Sequence, residues 1–295
     1  MSQEKIAPSD LTPPPRYYRG GRNLPVAIAV GVALFSAVVL TLAFWHWGFI
    51  LLVALALSLG AVEVHDALER IGARSELVPI VIGTIATVLG SYFAGQHPGQ
   101  RMPSNTLIIG LLAFTALSCL VLRLRRGQEG FVRDASASLF TIGYIPLLGS
   151  TVALMLAGDQ GQARIITFLL CVIASDTGGF IAGVAFGKHP MAPRVSPKKT
   201  WEGFAGSVTA GIALGVGSAL WLLHTPWWVG VVLGVLLVAF GTAGDLVESM
   251  IKRDVGIKDM SNFLPGHGGV MDRLDSLLVA APVAWFAMFL MVPGG

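Results

Sequence analysis

An all-α, polytopic membrane protein is the fold class this sequence predicts, and three observations carry the prediction. Apolar residues make up 54% of the 295 and charged residues only 13%, with a mean hydropathy of +0.72. A soluble globule of that size needs far more charge to cover its surface. Apolar stretches near 24–43, 47–62, 77–93, 105–122, 136–157, 165–181, 204–223, 227–244 and 274–292 recur along the chain. Each is near the length a helix needs to cross ~30 Å of hydrocarbon. Finally, the lysines and arginines fall in alternate connections.

About nine transmembrane helices put the two chain ends on opposite faces. The tail and the loops after the second, fourth, sixth and eighth stretches hold all 20 basic residues except Arg101 and Arg164. Basic residues beside helix ends are retained in the cytoplasm, so the N-terminus is expected to be cytoplasmic and the C-terminus on the outer side. Trp45, Trp47, Trp221, Trp227 and Trp228 fall at the expected outer helix ends, where amphipathic rings sit at headgroup level. The resulting inner face is basic and suits an anionic lipid or a nucleotide. Nothing in the charge distribution favours a nucleic acid as partner.

The elements follow in order. Residues 1–23 are polar, with Pro13, Pro14 and Pro15 ahead of Arg16, Arg19 and Arg22, and read as a mobile cytoplasmic tail. The first apolar stretch has basic residues before it, as a signal sequence has. It is long and has no small-residue cleavage site before Trp45, so it is expected to stay as a helix. Helices in 24–162 carry few ionisable residues and read as scaffold. The connection with Glu63, His65, Asp66, Glu69 and Arg70 reads first as a solvated turn and second as an edge of a site. Cys119 and Cys171 fall inside helices and read as small packing residues. Gly179, Gly183 and Gly187, then Gly211 and Gly215, then Gly230 and Gly234, are spaced by four, which lets helices approach closely. Packing inside one chain explains them better than a dimer contact.

Polar residues become dense only after Ser175, so 163–295 is where chemistry is expected. The stretch SDTGGFIAGVAFGKH (175–189) puts Asp176 near the end of an apolar helix, where a lone carboxylate is expensive and calls for a partner. In SPKKTWEG (196–203), Lys198 and Lys199 stand directly before a helix start, and ammonium groups plus helix dipole favour phosphate. Their other reading is as topogenic anchors. Next, GDLVESMIKRDVGIKD (244–259) sets Asp245, Ser249 and Lys252 along one helical stripe. In LPGHGGVMDRLDS (264–276), Gly268 and Gly269 allow close approach to a ligand, and Asp272 and Asp275 are three apart, on one side of a helix.

Two carboxylates at a membrane helix end repel each other, and a bound cation relieves that. Oxygen ligands suit magnesium rather than zinc. An ion-pair network among Asp245, Lys252, Arg253, Asp272, Arg273 and Asp275 explains the same spacing equally well. No Walker loop and no Ser/His/Asp order stands out. A transporter is the rival class, but transporter sites lie near the bilayer midplane, whereas these charges gather at one face.

These stretches resemble the phosphatidate cytidylyltransferase (CDP-diacylglycerol synthase) family. Its signature is a Ser, a Lys-Arg pair, a Lys-Asp pair, His-Gly-Gly and Asp-Arg-x-Asp. Ser249, Lys252, Arg253, Lys258, Asp259, His267, Gly268, Gly269, Asp272, Arg273 and Asp275 fill it here. The Ser-Asp-Thr-Gly and Ser-Pro-Lys-Lys-Thr-Trp-Glu-Gly stretches are similar too, with Phe180 where a tyrosine is common. Strong similarity covers about the last 120 residues. The resemblance implies transfer of CMP from CTP to phosphatidic acid, giving CDP-diacylglycerol and pyrophosphate in phospholipid biosynthesis. It also implies a divalent metal, Mg2+ with room for a second cation, and a homodimer.

On this reading Asp245, Asp272 and Asp275 are metal ligands, with Asp176 a weaker candidate, and Lys252 joins the three as catalytic. Ser196, Lys198, Lys199, Ser249, Arg253, Lys258, His267, Gly268, Gly269 and Arg273 would bind the substrates. The expected location is a bacterial inner (plasma) membrane, with the site facing the cytoplasm. A related CTP-dependent enzyme acting on another lipid, such as a polyprenol kinase, is disfavoured by the spacing of Asp-Arg-x-Asp.

Overall fold

A computed structural model of the chain describes residues 24–96, 103–193 and 195–293. The tail at 1–23 and Arg101 lie outside the described residues. The chain folds into α1 (Leu24–Phe44), α2 (His46–Glu69), α3 (Leu77–Gln96), α4 (Ser104–Arg123), α5 (Phe131–Ile142), α6 (Leu148–Ala157), α7 (Gly161–Phe186), α8 (Trp201–Trp221), α9 (Trp227–Asp254) and α10 (Met271–Met291). Among the described residues, 9 spans are long and apolar enough to cross a membrane, because α5 and α6 form one span from Phe131 to Ala157. They are joined through a π-helical turn, Gly143–Leu147, which contains Pro146. Proline has no N–H for the regular ladder, so a widened turn there is expected. The protein is a multi-pass membrane protein, and large apolar side chains such as Phe35, Phe114, Val184 and Trp221 stand exposed on its flanks, where lipid is the solvent.

Hydropathy sets the spans but ends three helices too early. α2 continues to Glu69, α7 to Phe186 and α9 to Asp254. Glu63, His65, Asp66 and Glu69 are therefore helical rather than part of a turn. At 28 residues, α9 is about 42 Å long, so its polar last third outruns the ~30 Å hydrocarbon layer. A second correction concerns residues 190–200. They form an antiparallel hairpin, β1 (Pro190–Ala192) with β2 (Ser196–Thr200), in which Pro190 faces Thr200 and Ala192 faces Ser196. Lys198 and Lys199 thus ride on a strand. Thr200 follows them as the cap of α8, its Oγ1 accepting the Gly203 N–H at 3.1 Å.

The glycine faces are used inside the chain. A Cβ at Gly206 would sit 2.7 Å from the Gly178 carbonyl oxygen, and one at Gly215 would sit 2.3 Å from that of Gly230. Backbones of α7, α8 and α9 meet directly across these faces. Cys119 and Cys171 are buried free thiols in α4 and α7.

One buried ion pair ties the first half together. Arg123, 2% exposed, donates from Nε to Asp134 Oδ2 at 2.8 Å, and Asp134 Oδ1 accepts the Arg74 N–H at 3.0 Å. Arg123 also donates to the carbonyls of Gly127 (2.9 Å) and Glu129 (2.5 Å). The connections after α2 and α4 are thereby pinned to the start of α5. At the opposite face, buried Arg164 donates to the carbonyls of Val292 and Pro293, both at 3.4 Å, closing the far end of α10.

Removing one partner of a buried ion pair strands the other's charge. Asp134→Ala is expected to destabilise the protein by about 3 kcal/mol, read as a lower melting temperature in detergent. Gly215→Val, which drives a side chain into the Gly230 backbone, is expected to cost about 2 kcal/mol by the same measurement.

Candidate functional site

The sequence-predicted residues converge on the face where α7 ends, α8 begins, α9 ends and α10 begins. Between α7, α8, α9 and β2 lies a cleft of about 240 Å³. Asp176, Lys198, Lys199, Thr200 and Asp245 line its polar side, and Phe180, Met191 and Phe204 its apolar side. The Asp176 carboxyl makes no side-chain hydrogen bond and no direct ion pair among the described residues, and it lines the open cleft, where Lys199 is the cation that acts on it. The Lys199 Nζ itself forms an ion pair with Asp245 Oδ2.

At Asp245 the cleft meets a group of carboxylates. Asp245, Glu248 and Asp275 offer oxygens that all lie within 4.8 Å of one another. Glu248 is fully buried, and Lys252 Nζ is its ion-pair partner. Asp275 Oδ1 accepts from the Ser276 N–H at 2.7 Å and hydroxyl at 3.0 Å. Ser249 Oγ reaches Asp245 Oδ1 at 3.4 Å. Sequence reasoning missed Glu248. Its signal was present: it stands three residues after Asp245 and four before Lys252, so both share its helical side.

Asp272 is not in that group. Lys252 Nζ donates to its Oδ1 at 2.8 Å, while the Met260 and Gly269 N–H groups donate to its Oδ2 at 3.0 and 2.8 Å. Asp272 and Asp275 leave α10 from its first turns, yet one holds the loop and Lys252 and the other faces α9. Lys252, 13% exposed at its side chain, therefore bridges Glu248 and Asp272.

The loop before α10 is closed from the other half of the protein. Glu63 of α2 accepts the Ser261 hydroxyl (2.5 Å) and the Val270 N–H (2.9 Å) on Oε1, and the Met271 N–H (2.7 Å) on Oε2. A Cβ at Gly269 would sit 2.7 Å from Glu63 Oε2, so the close approach expected of Gly269 is to a protein carboxylate. Gly268 has φ +88°, where a side chain is strained. Arg273 is engaged as well, donating from Nε (3.1 Å) and Nη2 (2.6 Å) to the His267 carbonyl. The His267 ring packs against α1 at Gly31. Lys198, Arg253 and Lys258 are exposed and have no ion-pair partner among the described residues. Ser196 opens β2, the strand that carries Lys198.

An all-oxygen group of three carboxylates suits a hard divalent cation. Without one, two ammonium groups supply the compensating charge at Asp245 and Glu248.

The sequence matches the Cytidylyltransferase family over residues 25–291. It is 40% identical to a phosphatidate cytidylyltransferase of Mycobacterium leprae, over 92% of this chain and 90% of that protein. A protein of the same name from Mycobacterium bovis is 37% identical, again over 92% and 90%. One from Staphylococcus epidermidis is 30% identical over 80% of this chain and 89% of its own length. The likeness runs well beyond the last 120 residues to which the motifs confined it, into helices whose apolar composition hides it from motif reading. The chain belongs to the cytidylyltransferase family.

Proposed function

We propose that this protein is a CTP:phosphatidate cytidylyltransferase, moving CMP from CTP onto phosphatidate with release of pyrophosphate. The observation that carries the reading is the carboxylate group at one face of a membrane bundle, beside a cleft that holds Lys198 and Lys199, in a chain whose relatives bear that name. A phosphate oxygen of the lipid forms the new bond to the α-phosphorus of CTP, and the bond from that phosphorus to the bridging oxygen of pyrophosphate breaks. A phosphomonoester has a second pKa of about 6, so the nucleophile is ionised near neutral pH and no strong base is required. Holding four phosphates together against their repulsion is the main task.

Asp245 and Asp275 are assigned to hold Mg2+, with Glu248 as a third oxygen donor and Asp176 across the cleft as a further candidate. Held there, a cation would supply charge neutralisation for the phosphate oxygens and for the pyrophosphate leaving group. Lys199 and Lys252, now paired to Asp245 and Glu248, become available to phosphate once that charge is met otherwise. Lys198 supplies unpaired positive charge at the cleft, and Arg253 and Lys258 add exposed charge at the end of α9 and in the loop after it. Asp272 orients Lys252, and Arg273 and Gly268 shape the His267 loop. Ser196 and Ser249 are assigned as neutral donors to substrate.

The side facing CTP is assigned as cytoplasmic, in a bacterial plasma membrane, on the distribution of lysine and arginine. The homodimer implied by the resemblance forms part of this proposal. Since the glycine faces of α7, α8 and α9 are paired within the chain, a second copy would meet other lipid-facing surface.

Purified protein given phosphatidate, Mg2+ and CTP labelled at the α-phosphate is expected to move label into lipid with equimolar pyrophosphate. Asp275→Asn, folded by its melting curve, is expected to lower the rate by roughly 100-fold or more. No label in lipid from folded wild-type protein would sink the reading. Lys258→Cys in intact cells is expected to react with a membrane-impermeant maleimide only after the membrane is opened; labelling from outside would reverse the topology.

A further inference from the structure

Glu63 stands in α2, in the part of the chain expected to be scaffold, and reaches the loop 207 residues away. The residue is 5% exposed and lies in no ion pair among the described residues. A carboxylate in such surroundings is costly, and here hydrogen-bond donors stabilise it instead of a cation. Those donors are the Ser261 hydroxyl and the N–H groups of Val270 and Met271, at the positive end of the α10 dipole. The preceding N–H, of Gly269, goes to Asp272. Three consecutive amides at a helix start, a ready place for phosphate, are thus already taken by two protein carboxylates.

We propose that Glu63 is a positioning residue for the transfer reaction: it fixes the depth and rotation of the first turns of α10, and so the approach of Asp275 to Asp245 and Glu248. The inference rests on reading those three carboxylates as the cation site. A neutral side chain would fill the space but could not accept from both sides, because the amide nitrogen of glutamine presents donors to a backbone N–H. Gly269 is the reciprocal element, glycine because Glu63 Oε2 leaves no room for a Cβ.

The test uses the full chain in detergent, with Mn2+ as the probe ion, counted by the loss of the free-ion resonance without substrate. CMP transfer, Mg2+ dependence and melting are measured beside it. Glu63→Gln is expected to fold but to melt measurably lower, because one buried donor is left unpaired, and to bind Mn2+ about 10-fold more weakly and lose about 10- to 100-fold in kcat, as orienting partners of metal ligands do. KM for CTP should stay within about twofold, because substrate groups are untouched. Gly269→Ala should reproduce the loss. In the Glu63→Ala background it should add nothing, since the space is then free.

Mn2+ affinity and kcat of Glu63→Gln within about twofold of wild type would overturn the proposal, as would a lowered melting temperature alone. If Glu63→Gln does not fold, Gly269→Ala decides by the same criteria. Wild-type protein that binds Mn2+ but transfers no CMP would end the functional reading, while the Mn2+ comparison still decides for Glu63. Wild-type protein that binds no Mn2+ would end the positioning role.

Discussion

Placing carboxylates inside a bundle of apolar helices costs several kcal/mol for each unless cations or rows of donors surround it. Lys252 is the main answer here, with its single ammonium set between Glu248 of its own helix and Asp272 of the next. That contact fastens the far end of α9 to the start of α10. Lys199 does the same from the hairpin side, joining β2 to Asp245. The hairpin, the end of α9 and the loop before α10 meet at one face because their charges have no cheaper place to go.

The same constraint makes the two halves of the chain interdependent. Glu63 brings no cation with it, so the backbone at the start of α10 supplies the donors, and α2 and α10 are locked together. Around the buried Arg123–Asp134 pair, the connections of the first half are organised before they reach the site. The early helices carry few ionisable residues, yet almost every one that is buried takes a defined position.

Packing and charge divide the labour. Glycine faces bring α7, α8 and α9 close enough for main chains to touch, which draws Asp176 and Asp245 onto opposite walls of one cleft. Bulkier residues at those contacts would hold the helices apart and widen the cleft. The exposed Lys198, Arg253 and Lys258 have no acidic neighbours within ion-pair distance among the described residues, which leaves their charge open to an anionic substrate.

The sequence by itself determined the membrane class, the spans and the face on which the polar motifs collect. Hydropathy over some twenty residues and charge between spans are local quantities that survive without any knowledge of packing. It also set Asp245 with Lys252 on one stripe and Asp272 with Asp275 on another, because motif spacing on a helix sets which residues share a side. Only the tertiary structure decided which carboxylates face one another. Asp272 and Asp275 share a helix side in projection, but the neighbours that claim them come from a loop and from α9, which no periodicity reports. The same holds for Glu248, whose burial depends on α10, and for Glu63, whose partners lie at the other end of the chain. The hairpin at 190–200 was equally hidden, since its strands are too short and too polar to show alternation, and pairing them depends on the helices at either end.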